Sequence, residues 1–390
     1  MPSKLIQHYL PELKSFLSGR PRPGSVSVNI TAKCNQQCIY CEIGQDIPSA
    51  TPGRLSREDM FWIVDQMALN RIRRISICGG EPFLFDGLTD VVSYAGMKQI
   101  QCAITTNGMT GHMLGSDELK ILKACKAEIN VSVDSFDENV NSLTRGSKVA
   151  LSNAIKTIEK ILEWNIPLSL LVVISKFNYQ DLFNYTQKAQ ASGVKQVLFQ
   201  PVISYSNYPD RRTLDGKPNL NVPPEAITTV IEELKKIRNF ELTHPISTNA
   251  YRLLPWISSY MNHIAGSNGD WFFHDVLKKF YCRDVHAIID ITYDGGIQPC
   301  GLAKAEVNIH ERRELGLLAL WHEATQKLKK DLDNQLYHDI CNGCCHHFSR
   351  NMIASVMKYP FSNRAAFLAI MPLIISRVTS KVLKSIRNTT

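Results

Sequence analysis

Asn29-Ile30-Thr31-Ala32-Lys33-Cys34-Asn35-Gln36-Gln37-Cys38-Ile39-Tyr40-Cys41 is the stretch from which the rest of the chain is read. Its Cys-x3-Cys-x2-Cys spacing offers three soft thiolates on one short loop. A cuboidal [4Fe–4S] cluster ordinarily takes four Cys, so three leave one iron open to a small molecule that can bind it and exchange electrons with it. The alternative is zinc, which needs a fourth ligand close by. No His falls within the twenty residues after Cys41, and Glu42 is a weak zinc donor.

The loop is entered from a strand. Ser25 to Ile30 alternates apolar Val26, Val28 and Ile30 with polar Ser25, Ser27 and Asn29, the period of a strand. Ser56-Arg57-Glu58-Asp59 then carries the cap and early acids of a helix start. Apolar runs recur at 72–78, 100–105, 129–133, 168–174 and 194–200, with helical patterns at 86–98, 116–126, 148–163 and 179–192. Strands alternating with helices predict a parallel sheet with right-handed crossovers, buried on both faces. Six such units make an α/β fold, a partial (β/α)6 barrel of TIM type. In such barrels chemistry sits at the C-terminal strand ends. The cysteine stretch follows the first strand, Gly79-Gly80-Glu81-Pro82 the second, Thr105-Thr106-Asn107-Gly108 the third and Ser132-Val133-Asp134-Ser135 the fourth, with Arg145-Gly146 beyond.

These motifs, in this order and with Tyr40 just before the last Cys of the loop, resemble the radical S-adenosylmethionine (SAM) superfamily over about residues 25 to 205. The resemblance implies an enzyme in which Cys34, Cys38 and Cys41 hold the cluster and SAM chelates the open iron. One electron, from a donor such as flavodoxin or ferredoxin, then cleaves SAM to methionine and a 5′-deoxyadenosyl radical, which abstracts hydrogen from an unactivated carbon of a substrate. It also implies that backbone groups at Gly79 and Gly80 meet the SAM amino group, that Glu81 braces that loop and that Pro82 stiffens its exit. Glycine at both positions allows a close backbone approach; the plain alternative is a turn. Ser132 and Asp134 suit the ribose hydroxyls, Asn107 the adenosine, and Arg145 the SAM carboxylate through a charge-assisted bond. Arg145 otherwise reads as a surface arginine.

A second set of cysteines lies far downstream. Between Cys282 and Cys300, Ala287 to Pro299 reads as a β-hairpin turning at Asp294-Gly295, and a helix over Leu317 to Leu332 leads to Cys341-Asn342-Gly343-Cys344-Cys345. This resembles the front half of the SPASM domain, in its shortened twitch form, and implies one auxiliary [4Fe–4S] cluster held by Cys282, Cys300, Cys341 and Cys344, with Cys345 the other choice for the last ligand. A zinc ribbon is the alternative. Cys78, Cys102 and Cys125 read as small buried hydrophobes.

These readings divide the chain into an N-terminal helix and linker (1–22), the barrel (23–223), a helical linker with the auxiliary unit (224–350) and a basic tail (351–390). Aromatics at Tyr251, Trp256, Tyr260 and Trp271 to Phe273 serve either a substrate cavity or helix packing. Eleven cysteines without a continuous apolar signal segment point to the cytoplasm. Of the +8 net charge, the seven Lys and Arg from Arg350 onward leave +1 for the other 349 residues, so no basic channel for nucleic acid is expected. Residues 365–390 combine an apolar run too short to span a bilayer with a basic amphipathic stretch. Contact with an anionic membrane and packing on the barrel are equal readings. The substrate is read only as a peptide or protein, a sugar-like alcohol or a membrane-linked small molecule. The short segment before the barrel is an expectation against ribosomal-peptide maturation. The reading from another class is a non-catalytic iron–sulfur or zinc protein attached to a membrane.

Overall fold

The computed structural model describes residues 23–41, 54–203, 219–266 and 281–338, with Cys341 and Cys344. The leading helix expected over 1–22, Trp271 to Phe273, Cys345 and the basic tail lie outside the described residues.

Strand β1 (Ser25–Thr31) buries Val26, Val28 and Ile30. It is followed by α1 (Arg57–Leu69), β2 (Arg74–Gly79), α2 (Leu88–Met97), β3 (Gln101–Thr106), α3 (Ser116–Ala124) and β4 (Glu128–Ser132). Two helices, α4 (Glu138–Arg145) and α5 (Ala150–Glu163), lead to β5 (Leu168–Ile174), α6 (Leu182–Ala191) and β6 (Gln196–Pro201). The six strands pair in parallel in chain order, so each crossover lays its helix on the outer face. That face is apolar: Ile75 and Ile77, Ile129 and Val131, and Leu170 and Val172 pack against Met60, Ile63, Val91, Leu122 and Ile158 in one core.

The inner face departs from the expectation of burial on both sides. The alternate residues Ser27, Asn29, Ser76, Thr105, Asn130 and Ser132 are only half-buried. At the N-terminal ends of the strands, Arg74 pairs with Glu128 at 2.6 Å and Gln101 donates to Glu128 at 2.8 Å. An incomplete barrel leaves its concave side open, so small polar residues there cost no unpaired burial.

Helix α4 carries no sequence signal of its own. It is eight residues long and its buried side chains are Asn141, Thr144 and Arg145, so it lacks the apolar stripe that marks a helix in sequence.

The C-terminal part does not stand apart from the sheet. After α7 (Ile227–Thr243), the two-residue β7 (Ser247–Thr248) extends the sheet beside β6. Short α8 (Ala250–Leu253) and α9 (Ile257–Gly266) follow. Tyr260 on α9 is fully buried and donates to Val202 O at 3.2 Å, so it serves the core. Helix α10 (Asp284–Ala287) enters β8 (Ile288–Ile291), which pairs in parallel with the free edge of β1. The hairpin turns at Asp294-Gly295, where Gly295 has φ +82°, into β9 (Gly296–Gln298), and β10 (Val307–Asn308) completes a ten-stranded sheet. Helix α11 (Leu317–Asp333) covers this edge, with Trp321 fully buried and its indole N–H on Ile288 O at 3.0 Å.

Candidate cluster and cofactor site at the barrel mouth

The cysteine loop leaves β1 through an irregularity. Asn29 pairs with Cys78 and Thr31 with Gly79, so Ile30 is an extra residue in the ladder, which bends a strand and re-aims the segment beyond it. Two backbone bonds then tie the loop to the end of β2: Gly80 N donates to Thr31 O and Glu81 N to Lys33 O, both at 2.7 Å. This accounts for the glycines. A Cβ on Gly80 would lie 2.1 Å from Lys33 O, and one on Gly79, at φ +124°, would lie 2.5 Å from Thr31 O. The close approach expected toward a ligand is made here toward the cysteine loop itself. On the opposite side Ile39 N donates to Thr144 O at 3.0 Å, and a Cβ on Gly146 would meet Gln37 O at 2.2 Å.

Glu81 is fully buried. One carboxylate oxygen accepts from Phe83 N at 3.1 Å and Thr106 Oγ1 at 2.7 Å, the other from Asn107 N at 2.7 Å. The side chain thus braces its own turn, which Pro82 opens as a 3-10 helix, and joins it to the loop after β3. Burial nevertheless pushes its carboxyl above the ordinary glutamate value, against the three donors that favour the charged form.

Beyond β4 the predicted residues meet one another. Asp134 Oδ1 accepts from Arg145 Nη2 at 2.9 Å and from Val173 N at 3.0 Å, while Oδ2 accepts from Tyr40 OH at 2.6 Å. Its carboxylate is therefore committed to the Arg145 ion pair and the tyrosine of the cysteine loop. Ser132, at the end of β4, remains half-buried. Arg145 is not a surface residue: it is buried, sits over the Tyr40 ring and comes within 4.0 Å of Cys38 Sγ. Desolvation is the largest single influence and acts to lower its pKa, but Asp134, Tyr40 and Cys38 together outweigh it and hold the guanidinium charged. Asn107 turns to the same loop, donating to Asn35 Oδ1 at 2.7 Å and to Cys34 Sγ at 3.7 Å.

The supporting residues that sequence reading missed are polar and buried. Asn178 donates to Asp134 O and Val173 O, Tyr185 OH to Val133 O, and Asn141 accepts from Asp134 N. Thr106 passes the Glu81 contact on to Gly108 N. Nothing marks Asn178 or Asn141 in the sequence, because their partners are backbone groups at spacings that follow no helical or strand period.

The donor set fits an iron–sulfur cluster. Burial raises the Cys34 thiol and pushes Cys38 to about 11, and Cys41 acts electrostatically on both, so the three sulfurs share one locale. Asn107 and Arg145 pull the other way by favouring the thiolates. Thiolates with N–H donors and one cation at hand are what a cluster needs. In the C-terminal unit, Cys341 and Cys300 both act electrostatically on half-buried Cys282, and Cys344 packs with Cys300 and Ile203. Among the described residues no group of three His, Cys, Asp or Glu is set up for a single metal ion. Of the lone cysteines only Cys102, in β3, is buried as expected; Cys125, which ends α3 beneath Gly96, and Cys78, whose Sγ rests on Asn29 Oδ1 at 3.2 Å, are half-buried.

A partial (β/α) barrel whose first strand delivers a three-cysteine loop, clamped by strand-end motifs, is an arrangement suited to holding an iron–sulfur cluster at the barrel mouth. Residues 28–189 match the family model described as the radical SAM superfamily. This segment is similar to radical SAM domains, which belong to a class of enzyme that uses a [4Fe–4S] cluster and SAM and requires an electron donor and a substrate. Among curated relatives, the chain is 26% identical over 177 residues to the antilisterial bacteriocin subtilosin biosynthesis protein AlbA of Bacillus subtilis, covering 45% of this chain and 38% of AlbA. The chain thus spans well under half of that relative's length. It is 26% identical over 317 residues to GTP 3′,8-cyclase of Alkaliphilus metalliredigens, covering 79% of this chain and 87% of the cyclase. The fold is similar to that of Streptococcus suis SuiB bound to precursor peptide SuiA, with TM-score 0.60 and 17% identity over 88% of this chain and 76% of SuiB.

Proposed function

We propose that this protein is a peptide-modifying radical SAM enzyme in which Cys34, Cys38 and Cys41 hold the SAM-binding cluster and Cys282, Cys300, Cys341 and Cys344 hold an auxiliary one. When bound, the first cluster and SAM supply a 5′-deoxyadenosyl radical that takes hydrogen from a carbon atom. The chain's residues position and shield. Gly79 and Gly80 lock the cysteine loop against β2, Glu81 and Pro82 shape the turn beside the SAM amino group, and Ser132 meets the ribose. Arg145, anchored by Asp134 beside Cys38, would meet the SAM carboxylate. Asn107, which donates to Cys34 Sγ, would border the adenosine.

The observation that carries the chemistry is the convergence of Asn107 and Arg145 on the sulfurs of a loop clamped at both ends. The peptide class is supported by AlbA, named for a bacteriocin, and by the fold shared with SuiB, described bound to a precursor peptide. Cyclisation of a purine nucleotide is the second reading, favoured by the longer coverage of GTP 3′,8-cyclase.

One experiment separates them. Anaerobically reconstituted enzyme is incubated with SAM and dithionite alone, with GTP, or with a panel of short peptides, and 5′-deoxyadenosine is measured. Peptide-stimulated formation supports the proposal; stimulation by GTP alone replaces it with the second reading. Formation at the wild-type rate in Cys34→Ala, Cys38→Ala or Cys41→Ala removes the cluster assignment. Iron analysis should give about eight per chain, two cubanes of four, whereas about four irons and one zinc would leave the C-terminal unit a ribbon. For the tail, 365–390, the charge pattern supports contact with an anionic lipid surface and packing on the barrel equally; equal, negligible sedimentation of the full chain and of one ending at Tyr359 with anionic vesicles would leave packing. No described helix is long and apolar enough to cross a membrane.

A further inference from the structure

We infer that Gln36 is a hydrogen-bond donor to the cluster that Cys34, Cys38 and Cys41 hold, and that with Asn107 and Arg145 it sets the cluster's reduction potential. This rests on the proposed function above. Gln36 lies inside the cysteine motif, between its first two ligands, and is 3% exposed. Its Oε1 accepts from the Cys38 thiol at 3.7 Å. Its Nε2, equally enclosed, has no hydrogen-bond partner among the described residues.

A cluster held by Cys38 would change what both ends of this amide meet. A buried amide donor with no acceptor is unfavourable. A cysteine that binds iron does so as a thiolate and has no S–H left to give, so Oε1 also loses its donor when the ligand bond forms. Turning the amide over about its last bond exchanges oxygen for nitrogen beside Cys38 Sγ. That one rotation gives the stranded N–H an acceptor and the thiolate a donor.

Two other donors already stand at these sulfurs: Asn107 Nδ2 lies 3.7 Å from Cys34 Sγ and Arg145 Nη1 4.0 Å from Cys38 Sγ. Asp134 holds Nη2 of the same guanidinium, which fixes Nη1 on the sulfur. Donors at ligand sulfurs favour the reduced, more negative cluster and raise its potential. Gln36 is thus a tuning residue for one-electron loading.

The test is an EPR-monitored redox titration of reconstituted full-length enzyme, following the signal that changes on adding SAM and so belongs to the open-site cluster. Gln36→Leu removes the donor and should shift the midpoint to more negative potential, with iron content and the SAM response retained. Gln36→Glu puts only acceptors at the sulfur and should shift it further the same way. Midpoints equal to wild type in both variants overturn the inference. Should neither variant hold iron, the wild type decides: with side-chain ¹⁵N-glutamine, hyperfine spectroscopy of the reduced cluster should show a coupled glutamine nitrogen, and its absence overturns the inference. A wild type with no SAM-responsive signal fails earlier, at the proposed function, and takes this inference with it.

Discussion

Asp134 and Arg145 face each other with almost no water around them: their side chains are 0% and 7% exposed. A buried ion pair adds little to stability as a unit, but removing one partner strands the other charge at about 3–5 kcal/mol. Arg145→Met should therefore lower unfolding free energy by that order, in addition to weakening SAM binding by roughly one to two orders of magnitude, the equivalent of a charged hydrogen bond at about 1.5–3 kcal/mol. Urea titration and calorimetry measure the two. The double variant Asp134→Leu/Arg145→Met should cost less than the sum of the singles; strict additivity would mean that the carboxylate does not need the guanidinium. Glu81 makes a pH prediction. Its folded pKa is raised above the ordinary 4.5 by burial, so the native state holds the proton more tightly than the unfolded one. Stability from that group is complete below 4.5 and is lost as pH rises through the folded value. Against Glu81→Gln, which has no proton to lose, wild-type stability should decline with rising pH over that window. A difference independent of pH would place the Glu81 carboxyl at its ordinary value.

The elements around the site are held by short-range chemistry. Helix α1 begins with a complete capping box in which the Ser56 side chain accepts from Asp59 N and Asp59 accepts from Ser56 N, and Ser56→Ala should cost about 0.5–2 kcal/mol in thermal unfolding. The loop that ends β2 is more demanding. Gly80→Ala places its Cβ against backbone, at Lys33 O, rather than a side chain that can swing aside. Cluster incorporation after reconstitution should fall severalfold in Gly80→Ala and in Gly146→Ala. Gly24→Ala, where nothing lies within 4 Å of the added carbon, is the control. Wild-type iron content in Gly80→Ala would show that the loop tolerates displacement from β2.

On the scale of the molecule, the C-terminal hairpin is part of the barrel sheet. Ser25 to Val28 pair with Ile288 to Ile291. The seam is reinforced on α1, where Asp59 accepts from Arg313, Gln66 Oε1 accepts from Leu317 N at 3.1 Å and the Arg313 guanidinium lies over the Trp62 ring. With β1 shared between them, barrel and auxiliary cysteines should unfold together. Tryptophan fluorescence and far-UV circular dichroism should give coincident urea transitions; two resolved transitions would make the unit separable. Arg313→Ala should move the common midpoint down without splitting it.

Most of the barrel was legible from the chain. Period-two alternation in β1, apolar runs for the other strands and Gly79-Gly80-Glu81-Pro82 at a strand end are local patterns, and local patterns are written in sequence. So was the place of the cysteine loop, which follows the first strand as the sequence pattern implies. Tertiary structure alone decided what the motif residues touch. Gly80 needs its missing side chain because Lys33 O occupies that space, Asp134 spends its oxygens on Arg145, Val173 and Tyr40, and the hairpin at Asp294-Gly295 joins β1 instead of standing apart. Each of these depends on a contact between residues tens to hundreds of positions apart. Such contacts exist only once the strands have closed side by side, and no periodicity in the chain records them.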